Sequence, residues 1–271
     1  MNRFRFSIAG LLVPAVKPQA AFFERLGPPG MVALAEVCDH AAAAGLLVIM
    51  DAKRNDIGAT AEAYAAAYLG AKPDSAWGSD ALTINPYMGF DTLQPFYKRG
   101  QETGAGVFVL CKTSNPGSDA LQSRTTDGSS DTVTDLIADE IQSLCESSAG
   151  ESGYGNVGAV VGATYPEQLV HLRKKMKSSI LLVPGFGAQG GSAADVAAAF
   201  DENGTGAVIN SSRGVIFAYE KEKYASQAAK SWQDAVANLR SIPSKCLRHR
   251  PTRGSLHDEA AGLRLISASA G

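Results

Sequence analysis

Seven short apolar runs, each breaking into a polar cluster and most followed by a helical pattern, leave this chain few folds to choose from. The runs lie at residues 11–17, 46–53, 81–84, 106–111, 157–161, 180–183 and 206–209. Runs this short and this apolar predict strands buried on both faces. Helical patterns fall at 31–44, 61–69, 92–99, 133–146, 166–176 and 193–200, with a long last one at 224–239. Such alternation predicts right-handed βαβ units and a parallel sheet. The polar clusters all sit just after strands: Lys17, Asp51 with Lys53, Asn85, Ser114, Thr164, Gln189 and Arg213. A doubly wound sheet gathers ligands at one switch point. Seven decorated loops instead predict an α/β chain of the TIM (β/α)8 type, with its site at the C-terminal face of the strands. Only seven strands are countable, so the barrel is expected to be incomplete.

Composition narrows the function classes. The 25 basic and 27 acidic residues give a net charge of −2 with no basic patch, which argues against a nucleic-acid partner. No apolar run approaches the roughly 20 residues that span a bilayer, so no membrane association is expected. Residues 1–13 faintly mimic a secretory leader, but Pro14 and Pro18 cut its apolar core short. The four cysteines, Cys38, Cys111, Cys145 and Cys246, are far apart and lack metal-ligand spacing. Together these features predict a cytoplasmic protein with no metal ligand set.

The chemistry concentrates in Asp51-Ala52-Lys53-Arg54-Asn55-Asp56-Ile57-Gly58-Ala59-Thr60. Asp51 and Lys53 are two apart on a strand, so they are expected on one face. Asp56 follows in the turn. Charges at the mouth of a buried strand are costly unless they satisfy one another. On charge alone, a solvated surface ion pair explains the stretch equally well. Further on, Gly185-Phe186-Gly187-Ala188-Gln189-Gly190 is formally a dinucleotide fingerprint, yet no acidic residue follows at a second strand end about 20 positions on. A tight glycine turn is one reading. The other is a phosphate cradle of backbone N–H groups, completed by Arg213 on the last strand loop.

Asp-x-Lys-x-x-Asp-Ile-x-x-Thr after a hydrophobic strand resembles the signature of the orotidine 5′-phosphate decarboxylases. Asp51, Lys53, Asp56, Ile57 and Thr60 supply it, and Val16-Lys17-Pro18-Gln19 with Phe22-Phe23-Glu24 resembles the bacterial type 2 branch. The similarity runs from about Pro14 to about Tyr219. It implies decarboxylation of orotidine 5′-monophosphate (OMP) to UMP, the last step of de novo pyrimidine synthesis, without metal or organic cofactor. Lys53 would meet the carbanion at C6 and donate the proton, Asp51 would lie near the departing carboxylate, and Lys17 would complete the charge network. The resemblance also places Gln189, Gly190 and Arg213 at the 5′-phosphate and Ser114 at the pyrimidine. It carries Asp56, Ile57 and Thr60 into the site of a neighbouring subunit, hence a homodimer with shared sites.

The family's first βα unit, with its Gly-Leu-Asp-Pro-like turn, has no match here. The resemblance therefore implies a barrel over residues 1–242 that either has lost this unit or is the remainder of a longer product, without the ribose carboxylate and, unless the longer chain is the true product, with low or no turnover, followed by a disordered tail at 243–271. Two other readings stay open. A Schiff-base aldolase acting on a phosphosugar would use Lys17 or Lys53, although such a lysine needs a depressed pKa that flanking carboxylates oppose. An inactive truncated copy would serve only as a dimerisation partner. Nothing resembles an orotate phosphoribosyltransferase.

Overall fold

The computed structural model describes residues 13–126, 128–164, 166–185, 193–213 and 217. Within them seven strands form one parallel sheet in strictly sequential order. The strands are β1 (Ala15–Val16), β2 (Leu47–Arg54), β3 (Ala81–Ile84), β4 (Gly106–Lys112), β5 (Val157–Val161), β6 (Leu181–Val183) and β7 (Ala207–Ile209). The helices are α1 (Ala20–Glu24), α2 (Pro28–Ala43), α3 (Gly58–Tyr68), α4 (Gln94–Thr103), α5 (Asp119–Gln122), α6 (Val133–Glu146), α7 (Pro166–Lys175) and α8 (Ala193–Ala197). Neighbouring strands pair one after another from β1 to β7, and among the described residues β1 and β7 are the two ends of the sheet. Among the described residues these are the seven parallel strands, curled into part of a barrel, that the apolar runs predict.

The period-two alternation of each strand divides the core into two layers. Val48, Met50, Leu82, Ile84, Val107, Val109, Val157, Ala159 and Val161 face outward, against Leu34, Cys38, Phe96, Ile141 and Leu169 of the helices. Ala15, Leu47, Ile49, Ala81, Phe108, Val160, Leu182 and Val208 face inward and fill the concave side. Phe108 has room there because its partner in register is Gly158, where a Cβ would stand 2.6 Å from the Phe108 ring. Extending the inward rows toward the C-terminal ends gives Ala15 then Lys17, Leu47 and Ile49 then Asp51, and Ala81 then Thr83. Polar groups thus cap an apolar inner column.

Several elements differ from the sequence expectation. Helix α2 begins at Pro28 rather than Met31, because two prolines at its first positions carry preset backbone angles and lack only N–H groups that no helix satisfies there. The helix expected at 92–99 is a 3-10 turn, Phe90–Leu93, leading into α4, which ends at Gly104 with φ 72°. The polar stretch 118–131, loop-like in composition, contains α5, and its Thr125 bridges to Thr132 at the start of α6. Helix α6 starts with a capping box between Thr132 and Asp135. The expected helix at 224–239 and the tail at 243–271 lie outside the described residues. Among the described residues no helix is long and apolar enough to cross a membrane, and no cluster of His, Cys, Asp and Glu could hold a metal ion.

Candidate active site

The C-terminal ends of β1, β2 and β3 converge on one carboxylate. Lys17 follows β1 and is 4% exposed; Asp51, on the inward face of β2, is 7% exposed. The Lys17 ammonium donates to Asp51 Oδ2, and Lys53 Nζ donates to Asp51 Oδ1 at 2.5 Å. The backbone helps to fix this set, since Asp51 N–H donates to Pro18 O at 2.9 Å. One carboxylate is therefore shared between two ammonium groups. Burial would raise the Asp51 carboxyl, but the two lysines outweigh it and hold it below the usual carboxylate range. Burial pulls Lys17 below the ordinary lysine range against the opposing pull of Asp51. Both directions follow from the one-to-two ratio: the carboxylate is over-compensated, the buried ammonium under-compensated.

Lys53 does not continue the strand as expected. Register between β2 and β3 runs Met50 to Leu82 and then jumps to Arg54 opposite Ile84, a bulge that sets three residues against one. At the bulge Lys53 adopts φ 49°, and it is the one non-glycine residue with positive φ among those described. Its N–H leaves the ladder and donates to Thr83 Oγ1 at 2.9 Å, while Thr83 Oγ1 donates to Asp51 Oδ1 at 3.1 Å. Asn85 N–H then resumes the ladder on Arg54 O at 2.9 Å. Lys53 thus meets Asp51 as expected, but from a bulge rather than from a regular strand. Thr83 was not singled out from sequence. The signal was there, as the one polar side chain inside Ala81-Leu82-Thr83-Ile84, but its meaning depends on cross-strand register.

The remaining expected residues are spread along the same rim. Asp56 lies in the loop after β2 and accepts from Ile57 N–H at 2.9 Å; among the described residues it forms no ion pair. Ile57, 59% exposed, stands at the N-terminus of α3, and Thr60 is exposed in its first turn. Ser114 is half-buried beyond β4, close to the backbone of Gly162 at the end of β5, where a Cβ would meet Ser114 Cβ at 2.8 Å. Its loop is tied down by Gln122, whose Oε1 accepts from Thr113 N–H at 2.9 Å. It is also held by the buried Lys112, which donates to Asp119 at 2.6 Å and Ser123 at 3.0 Å. Arg213 is exposed just after β7. Gln189 and Gly190 lie outside the described residues. Beneath the rim, Arg54 links β2 to α1 and α3 by donating to Glu24 and, at 3.0 Å, to the Tyr68 hydroxyl.

A buried carboxylate shared between two lysine ammonium groups at strand ends can meet developing negative charge and deliver a proton. Residues 8–228 match the model of the orotidine 5′-phosphate decarboxylase / HUMPS family. The chain is similar to the orotidine 5′-phosphate decarboxylase of Rhodopirellula baltica, 61% identical over 85% of this chain and 76% of that protein. It is also similar to that of Deinococcus radiodurans, 48% identical over 75% of this chain and 71% of the relative. Among solved structures, Leishmania donovani OMP decarboxylase is similar with a TM-score of 0.64 and 36% identity, covering 85% of this chain and 80% of that one. The Methanocaldococcus jannaschii orotidine 5′-monophosphate decarboxylase, at 19% identity and a TM-score of 0.59, shares the barrel fold. By the breadth of the family match and the identity to these relatives, the chain belongs to the orotidine 5′-phosphate decarboxylase / HUMPS family.

Proposed function

We propose that the chain is a carboxy-lyase that converts OMP to UMP in pyrimidine biosynthesis. The observation that carries this reading is the Lys17–Asp51–Lys53 set, a buried carboxylate between two ammonium groups on the inner rim of the sheet. In the reaction the bond from C6 to its carboxylate breaks, carbon dioxide leaves, and the electron pair stays on C6. That charge is poorly delocalised, so a positive group fixed beforehand at C6 lowers the barrier. Lys53 supplies it and transfers its proton to C6. Asp51 holds the ammonium in place and lies beside the departing carboxylate. Ser114 borders the pyrimidine, while Gln189, Gly190 and Arg213 take the 5′-phosphate; that remote binding energy is expressed at the reacting carbon.

Asp56, Ile57 and Thr60 act in the site of a second copy, so the working form is a homodimer with shared sites. The outward position of Ile57, and the absence of an Asp56 ion pair among the described residues, support this. Lys-Pro-Gln at 17–19 and Phe-Phe-Glu at 22–24 support the type 2 branch. The seven described strands read as the family's second to eighth, in a barrel domain that we assign to residues 1–242. The chemistry is that of a cytoplasmic biosynthetic enzyme.

The test is UMP formation from OMP by the purified chain and by Lys53→Ala, which should fall by more than about a thousandfold because countercharge and proton donor go together. Lys53→Ala and Asp56→Asn chains, each inactive alone, should recover activity when mixed, since one intact site forms per heterodimer. No recovery after proven subunit exchange would remove the shared site. Borohydride with substrate should trap no adduct; a covalent adduct on Lys17 or Lys53 would replace the decarboxylase with the aldolase reading.

A further inference from the structure

We infer that Thr83 is a positioning residue for Lys53: its hydroxyl both holds the bulged backbone of the lysine and fixes the carboxylate oxygen that the lysine grips. Thr83 is 1% exposed, inward-facing on β3, and opposite the bulge. A hydroxyl has one proton and two acceptor sites. Here the Lys53 N–H occupies an acceptor site at 2.9 Å, so the single Thr83 proton is free for Asp51 Oδ1 at 3.1 Å. That oxygen is the same one that receives Lys53 Nζ at 2.5 Å. A closed ring results: Thr83 hydroxyl to Asp51, Asp51 to the Lys53 ammonium, and the Lys53 backbone back to Thr83.

The ring answers a problem that the bulge creates. A left-handed backbone is unfavourable for a residue with a Cβ and persists only where the surroundings over-determine it. The N–H released from the ladder also needs a partner. Thr83 meets both needs with one atom, and the same atom binds the carboxylate oxygen that receives the ammonium. Ala81, two residues earlier on the same inward row, has no such atom to give.

The inference rests on the reading of Lys53 as proton donor, and the experiment separates the two. Thr83→Val keeps shape and removes the hydroxyl; Thr83→Ser keeps the hydroxyl and removes a methyl. For OMP decarboxylation, Thr83→Val should lower kcat by about a hundredfold, the scale of a reacting group displaced by an ångström, with KM changed less than about threefold. Thr83→Ser should stay within about threefold of the parent kcat. Hydrogen exchange at the Lys53 amide gives a readout independent of turnover: it should speed up about tenfold or more in Thr83→Val and be restored in Thr83→Ser. Unchanged amide exchange in Thr83→Val, or a Thr83→Ser chain as slow as Thr83→Val, would overturn the positioning role. A parent chain with no turnover on OMP would overturn the decarboxylase reading, while the amide exchange would still decide the role of Thr83.

Discussion

Removing Asp51 and removing Lys53 should both abolish turnover, yet they should differ sharply in stability. The side chains of Lys17 and Asp51 are 6% and 10% exposed, whereas that of Lys53 is 44% exposed. Lys53→Ala removes a half-exposed partner and leaves Asp51 paired with Lys17, so it should cost no more than about 1 kcal/mol. Asp51→Ala strands the Lys17 ammonium in the core, a loss of about 3–5 kcal/mol. The loss has a ceiling, because Lys17 can shed its proton. Neutralising an ordinary lysine at pH 7 costs about 1.4 kcal/mol for each of roughly 3.4 pH units, or about 4.8 kcal/mol. Where Lys17 is neutral in the folded variant and charged when unfolded, the unfolded state binds more protons. Stability of Asp51→Ala relative to the parent then rises with pH by up to about 1.4 kcal/mol per unit. Urea unfolding followed by circular dichroism between pH 6 and 9 measures this; at a slope near 2 kcal/mol per molar, the midpoint should drop by about 1.5–2.5 M at pH 7. Adding Lys17→Met to Asp51→Ala should recover much of the stability and none of the turnover. Equal destabilisation by Asp51→Ala and Lys53→Ala, or a deficit that does not shrink with pH, would refute the buried-pair argument.

Three further outcomes are expected. Lys53→Gly should be more stable than Lys53→Ala by about 1 kcal/mol, since only glycine accepts φ 49° without strain, and parallel urea titrations will show it. Gly162→Ala should weaken binding of substrate analogues by pushing Ser114 off its position, while Lys53 amide exchange stays as in the parent; unaltered binding would remove Ser114 from the site. The Asp135 carboxyl, which burial would raise, is instead held at about 2 by His171 and by the Thr132 hydroxyl and backbone N–H. Because the folded value lies below the unfolded one, its contribution is present above about pH 4 and lost as pH falls towards 2. Asp135→Asn should therefore destabilise by about 1–2 kcal/mol at pH 7, an amount reduced for partial solvent screening, and by roughly a third of that at pH 2.5.

The strands and their order were legible because a parallel sheet covered on both faces must be apolar throughout, as in Leu47-Val48-Ile49-Met50. Lys17, Asp51 and Lys53 could be placed at strand ends for the same reason: each charge is where its apolar run stops. What could not be read depends on cross-strand geometry. The β2 bulge leaves no local mark in Asp51-Ala52-Lys53, since it is defined only against Leu82 and Ile84. Thr83 acquired meaning only through that register. The α5 turn was hidden because Ser118-Asp119-Ala120 is loop-like in composition; it is held from outside itself, by Lys112 at the end of β4.

Strict sequential strand order has a consequence for synthesis. A ribosome releases the chain from its N-terminus at about 5–20 residues per second, and each new strand here finds its partner already made. Once β3 has emerged, Lys17, Asp51, Lys53 and Thr83 are all available, so the charged rim can close while β4 to β7 are still unmade. One edge of the nascent sheet is then always its newest strand, and that edge advances along the chain as synthesis proceeds, while β1 stays at the other end. The advancing edge is shielded at each step by the helix that follows it or by a chaperone.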